Sequence, residues 1–150
     1  MSIYAVNKRA AFDYELLEKL EGGLVLAGHE VKAIKTGHLS LKGAFLTVHD
    51  NELYLTNAHI PAYQKANTPE KYDEYRARKV LVKRRELDSL IGKIKQKGLT
   101  LVPVKVYSKH RLIKLEFAVG KGKRKIDKRE DIKKREANVS IRRALRGDKG

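Results

Sequence analysis

The chain has 150 residues, room for one domain plus an appendage, and its 41% hydrophobic content can fill one modest core. It has no cysteine, which excludes disulfides and thiolate metal sites and suits a cytoplasmic protein, and no apolar run long enough for a bilayer span or a secretory signal. The formal net charge of +16 points to a polyanionic partner, and the absence of Trp and the few large apolar residues in the most basic region favour nucleic acid over a membrane surface.

In chain order, the first feature is "AVNKRAAFDY", Ala5 to Tyr14. Its Asn7-Lys8-Arg9 cluster beside Phe12 and Tyr14 is equally readable as a solvated basic terminus or as a phosphate contact next to base-stacking rings. Residues 13–21 favour helix by propensity until Gly22-Gly23 breaks it. Glu21 reads first as an exposed acid at an element's end; in a binding surface it would accept hydrogen bonds from a base amino group or orient a nearby Arg. "GLVLAG" reads as a short buried strand, and "HEVKAIKTG" as a short helix or turn ending at Gly37.

Residues 41–60 predict an antiparallel hairpin. Leu46 and Val48 alternate with polar residues, Leu53 and Leu55 do the same, and Asp50-Asn51 tolerates the positive φ of a tight turn. Residues 61–79 have no clear period, and a loop of that length in a small domain is usually functional or disordered. "RARKVLVKRRE" packs Arg76, Arg78, Lys79, Lys83, Arg84 and Arg85 around Val80-Leu81-Val82, a density that argues for phosphate contact over a plain basic rim. Leu87, Leu90, Ile91 and Ile94 recur at helical spacing, predicting an amphipathic helix over about residues 84–97 that Gly98 stops. Residues 99–119 predict a second hairpin. Val102, Val104 and Val106 share one face, Ile113, Leu115, Phe117 and Val119 share another, Ser108-Lys109-His110 makes the turn, and Pro103 marks an edge or bulge. Several strands around one helix suggest a small barrel with peripheral helices.

The β pattern ends at Gly120. Residues 121–150 hold thirteen Lys or Arg against five Asp or Glu, half of the chain's net charge. Glu130–Lys134 and Asp131–Arg135 are acid-before-base pairs at i,i+4, each worth a few tenths of a kcal/mol to a helix. Apolar residues there are too sparse to tie it to a core, and like charges oppose its order in free solution. The expectation is a binding segment, disordered alone and helical on a polyanion. The five histidines show no metal-ligand spacing, and no phosphate loop or nucleophile elbow appears, so no metal, cofactor or catalysis is expected.

Long stretches, notably "GHEVKAIKTG", "RKVLVKRREL" and "GKGKRKIDKRE", resemble the small protein B family, the SsrA-binding proteins of bacterial ribosome rescue, from about Asn7 to Glu136. The resemblance implies a mainly β chain: an oligonucleotide/oligosaccharide-binding (OB) antiparallel barrel over residues 1–120 with about three flanking helices, followed by the tail at 121–150. It also implies that residues 13–21 are an extended first strand, against their propensity. The implied function is non-enzymatic. The barrel would bind the tRNA-like domain of transfer-messenger RNA, with elongation factor Tu and alanyl-tRNA synthetase acting through that RNA. The body would sit at the small-subunit decoding centre while the tail enters the vacant mRNA channel, where twenty residues of helix would reach about 30 Å. The implied RNA-binding positions are Asn7, Glu21, Leu81 and Lys114, beside the basic Lys8, Arg9, Arg78, Lys79 and Lys83. Those of the tail are Gly122, Asp127, Lys128 and Arg129, with Lys123, Arg124, Lys133, Lys134 and Arg135 supplying further charge. The family often has an aromatic or His before its Asp-Lys-Arg; here Ile126 can press on a base but cannot stack like a ring. The rival reading is a generic OB-type RNA-binding or ribosome-associated protein; a nuclease is a weaker third.

Overall fold

The structure is a computed structural model and describes residues 2–63, 68–96 and 98–123. Its elements are β1 (Ile3–Val6), α1 (Ala10–Asp13), β2 (Tyr14–Leu24), α2 (Gly28–Lys35), β3 (Phe45–His49), β4 (Glu52–Thr56), β5 (Arg78–Leu81), α3 (Arg84–Ile94), β6 (Leu99–Lys109) and β7 (Leu112–Gly122). The seven strands form one antiparallel sheet in the order β1-β6-β7-β2-β5-β4-β3. The sheet curls until β3 at one edge meets β6, and Phe45 and Thr100–Pro103 line one groove, an incompletely closed barrel. The mainly β fold with three helices is as expected.

The inner face follows from period-two alternation. Leu53 and Leu55 of β4, Val80 of β5, and Leu115, Phe117 and Val119 of β7 point into one core, which Ile34 of α2 and Leu90 of α3 cover; each is 2% exposed or less. The first hairpin has the expected turn, with Asp50 and Asn51 at φ of 49° and 58°. The expected short helix becomes α2, and Gly37 beyond it has φ of +85°. The amphipathic helix is α3, ending before Gly98 at φ of +86°.

Four local readings are corrected. Residues 14–21 form strand, as the resemblance implied and against the helix of their propensity, because β2 pairs with β7 at nine positions and its far end also pairs with β5. Helix preferences of a few tenths of a kcal/mol per residue do not survive that ladder. "GLVLAG" is not a buried strand: β2 ends at Leu24, and Val25 is 44% exposed. The second hairpin turns at His110-Arg111, both at positive φ, because Lys109 pairs with Leu112. Val102, Val104 and Val106 do not share a face. The register shifts between Pro103 and Lys105, so Val104 is the extra residue of a bulge, and Leu101 and Val106 join the core cluster. Pro103 thus marks a bulge in a strand that also carries β1 on its other side.

The segment before β5 is tied down by buried charge. Arg78 and Glu30 are both 0% exposed. Arg78 Nε donates to Glu30 Oε2 at 2.9 Å, Nη1 to the Ala58 carbonyl at 2.7 Å, and Nη2 to the Tyr72 hydroxyl and the Glu74 carbonyl at 2.7 and 3.1 Å. Arg76 closes on both oxygens of the same carboxylate, and the Ala27 N–H caps α2 by donating to Glu30 Oε1 at 2.9 Å. Burial pushes the Glu30 carboxyl up, but the hydrogen bonds from Arg76, Ala27 and Arg78 outweigh it and bring the pKa to about 2. The barrel also runs two residues past its expected end: Gly122 pairs with Tyr14, and the Lys123 N–H donates to the Asp13 carbonyl.

Candidate nucleic-acid interface

The outer face of the sheet carries the polar half of the alternation. Its register aligns Ile3 of β1 with Tyr107 of β6, Tyr107 with Lys114 of β7, Lys114 with Gly23 of β2, and Gly23 with Leu81 of β5. One row therefore crosses five strands and joins residues far apart in sequence. The next row on the same face aligns Lys105, Glu116 and Glu21. Leu81 is 53% exposed. Gly23 leaves a notch between its neighbours: a Cβ there would lie 3.8 Å from both Leu81 Cβ and Lys114 Nζ. Gly22 is the opposite case, since a Cβ there would lie 2.5 Å from Val80 Cγ1 on the core side.

Glu21 is the acid of this face. The Tyr107 hydroxyl donates to its Oε2, and Lys109 Nζ lies 3.5 Å from the same oxygen. The Tyr107 hydrogen bond is the main cause holding the carboxyl below its ordinary range; partial burial opposes it, and Lys109 and Lys114 assist. Burial first, and then the Glu21 carboxylate, push the Tyr107 phenol up, so it stays a donor. Glu116, opposite Glu21, is balanced by Lys105 at 3.8 Å. An ionised carboxylate, an ammonium and an exposed aliphatic side chain thus converge around an open strip of backbone. They can accept a base N–H, neutralise a phosphate and support a base or ribose.

The N-terminal cluster forms a separate patch. Asn7 Nδ2 donates to the Pro103 carbonyl at 2.8 Å, its Oδ1 accepts the Arg9 N–H at 3.2 Å, and its own N–H donates to the Val104 carbonyl. Asn7 therefore braces the β6 bulge. Lys8 and Arg9 are exposed beside it; Arg9 lies 4.4 Å from the Phe12 ring centroid and 3.2 Å from Asp13. Arg9, Lys42 and the half-exposed Phe45 line a groove of about 370 Å³.

The basic stretch around β5 is divided by alternation. Arg78 points inward and is held by Glu30 and its neighbours, so the expectation that it contacts RNA is corrected to a structural role: a guanidinium that is 0% exposed and makes four internal hydrogen bonds is out of reach of a phosphate. Lys79 points outward but pairs with Glu52 at 2.8 Å, which also accepts the Tyr54 hydroxyl. Lys83 precedes α3 and is exposed. Of the tail, Gly122 is the last residue of β7 and Lys123 follows it; Arg124, Asp127, Lys128, Arg129, Lys133, Lys134 and Arg135 lie outside the described residues. Sequence reasoning missed Tyr107, Lys109 and Gly23. Period two along Lys105-Tyr107-Lys109 was the available signal, since the bulge leaves that run in phase.

Among the described residues no His, Cys, Asp or Glu cluster could hold a metal ion, and no helix is long and apolar enough to cross a membrane.

A family model described as SmpB protein matches residues 4–147. An SsrA-binding protein of Geobacillus kaustophilus is 47% identical over 144 residues, covering 96% of this chain and 92% of its own. One from Chloroflexus aggregans is 42% identical over 97% of this chain and 92% of its own, and one from Thermosipho melanesiensis is 44% identical over 98% and 100%. A solved structure described as "tmRNA-SmpB: a journey to the center of the bacterial ribosome" superposes with a TM-score of 0.65 at 41% identity, covering 85% of this chain and 92% of its own.

Proposed function

The chain belongs to the SmpB protein family, and on that premise we propose that it binds transfer-messenger RNA and acts with it on the ribosome in trans-translation. The observation that carries this reading is the outer row, where Leu81, Gly23 and Lys114 from three strands meet beside the ionised Glu21. It supports docking of a folded RNA by shape, phosphate charge and a few unpaired bases, the mode by which proteins recognise structured RNA. The RNA is the tRNA-like domain, contacted by Glu21, Leu81 and Lys114, with Lys8, Arg9 and Lys83 adding phosphate contacts and Asn7 shaping the N-terminal patch. Elongation factor Tu and alanyl-tRNA synthetase act through the RNA. The tail from Lys123 on, with Arg124, Asp127, Lys128, Arg129, Lys133, Lys134 and Arg135, enters the vacant mRNA channel of the small subunit and becomes helical there, because phosphates neutralise the like-charge repulsion that opposes a helix. The protein performs no catalysis of its own and works in the cytoplasm.

Sequencing the RNA that co-purifies with the protein from its native host tests the partner: transfer-messenger RNA should dominate, whereas uniform recovery of ribosomal RNA would favour a plain ribosomal protein. Deleting residues 124–150 tests the division of labour. RNA binding should persist while peptide tagging of stalled ribosomes is lost; equal loss of both would refute it.

A further inference from the structure

We propose that Tyr107 is a positioning residue for RNA recognition: its hydroxyl fixes one oxygen of Glu21 so that the other accepts an N–H from an unpaired nucleobase lying over Gly23. The inference rests on the functional reading above and assigns a role to a residue that the sequence did not single out. A carboxylate on a face that must attract phosphate is otherwise a liability. It repels the RNA backbone and rewards only groups that donate, which in RNA are base N–H groups and ribose hydroxyls. That reward depends on where the acceptor stands.

A glutamate on an open sheet face has three side-chain torsions to order on binding. Here Oε2 takes both the Tyr107 hydroxyl and the Lys109 ammonium, while Oε1 has no partner among the described residues. The donor is itself rigid, because Tyr107 is only 5% exposed. The free oxygen belongs to a strand whose next outward position is Gly23, the notch between Leu81 and Lys114. A base resting there would meet the aliphatic Leu81 side chain, with the Lys114 ammonium placed for its phosphate. The charged groups on the same face around Glu21 are Lys19 of its own strand, Lys105 and Lys109 of β6, and Lys114 and Glu116 of β7; the β5 residue in this row is the uncharged Leu81.

The experiment compares wild type, Tyr107→Phe, Glu21→Gln and the double variant for affinity to transfer-messenger RNA over a salt series. Tyr107→Phe keeps the packed ring and removes only the hydroxyl. It should weaken binding about 5-fold through lost preorganisation. The slope of log affinity against log salt should be unchanged, because no phosphate contact is touched. In the Glu21→Gln background the same change should alter affinity less than about 2-fold, the mark of a residue acting through another. Carbon-detected titration should also find the Glu21 carboxyl ionising at higher pH in Tyr107→Phe, a readout that a packing role would leave in place. Unchanged affinity of Tyr107→Phe, or an equal loss with and without Glu21, overturns the proposal alone. Failure of the wild type to bind the RNA overturns the functional reading and this proposal with it.

Discussion

Glu30 and Glu21 are held by the same kinds of group at different depths. Each carboxylate meets a tyrosine hydroxyl and at least one cation, and each is held below its ordinary pKa. Glu30 is 0% exposed and both its oxygens are in use, by Arg76, Arg78, Tyr72 and the Ala27 N–H. Glu21 has a side chain 36% exposed and one oxygen without a partner among the described residues. The difference teaches that a carboxylate with its acceptor capacity filled in the interior is a structural pin, whereas the same group with capacity left at the surface is a recognition element. Surrounding cations distinguish the two poorly; unused hydrogen-bonding capacity does so directly.

The sharpest way to break this contrast is Arg78→Ala. It strips the buried carboxylate of its most enclosed partner and should cost about 3–5 kcal/mol, read as a large drop in urea midpoint. A loss below about 1 kcal/mol would mean that the inner cluster is no pin.

Acid comes next. Because the folded pKa of Glu30 is about 2, below its ordinary value of 4.5, its contribution is fully present above pH 4.5 and is lost as pH falls from there toward 2. Chemical denaturation at stepped pH should show a loss on the order of 3 kcal/mol from this group. Glu21→Gln should leave that acid limb nearly unchanged, since the outer carboxylate is open to solvent.

Two adjacent glycines sharpen the comparison of faces. Gly22→Ala drives a Cβ toward Val80 and the Leu81 carbonyl and should cost about 1–3 kcal/mol, seen as a lowered melting temperature. Gly23→Ala meets only ordinary contacts and should change stability by less than about 0.5 kcal/mol.

The smallest effect on the fold is expected from Lys114→Ala, again within about 0.5 kcal/mol. Affinity for transfer-messenger RNA should nevertheless fall about 5-fold, with the salt slope reduced by about 1. An unchanged slope would remove Lys114 from the phosphate contacts.

Much of the fold was legible where the signal is local. Asp50-Asn51, Gly37 and Gly98 sit at the positive φ values that ended their predicted elements, and Leu87, Leu90, Ile91 and Ile94 marked the helix that covers the core. The candidate site was legible only in part. Resemblance supplied Glu21, Leu81 and Lys114, but nothing local placed them in neighbouring rows of one face. Charge density suggested Arg78 for the surface, and the inward turn of β5 at that position overrode it. Tyr107 escaped notice because a tyrosine in a strand looks like ordinary β preference until its partner is seen.

By itself, then, the sequence determined the polyanion-seeking charge, the alternation of the first hairpin and of the return strand of the second, the turn at Asp50-Asn51, the stops at Gly37 and Gly98, and the helix of 3.6-residue period. These depend on side chain and backbone within a few residues, which is all that a linear pattern encodes. The tertiary structure decided that Tyr14–Leu24 is a strand, that Val104 bulges, that Arg78 is buried and that Tyr107 holds Glu21. Each of those outcomes depends on a partner more than ten residues away, and only the assembled sheet brings such partners within reach.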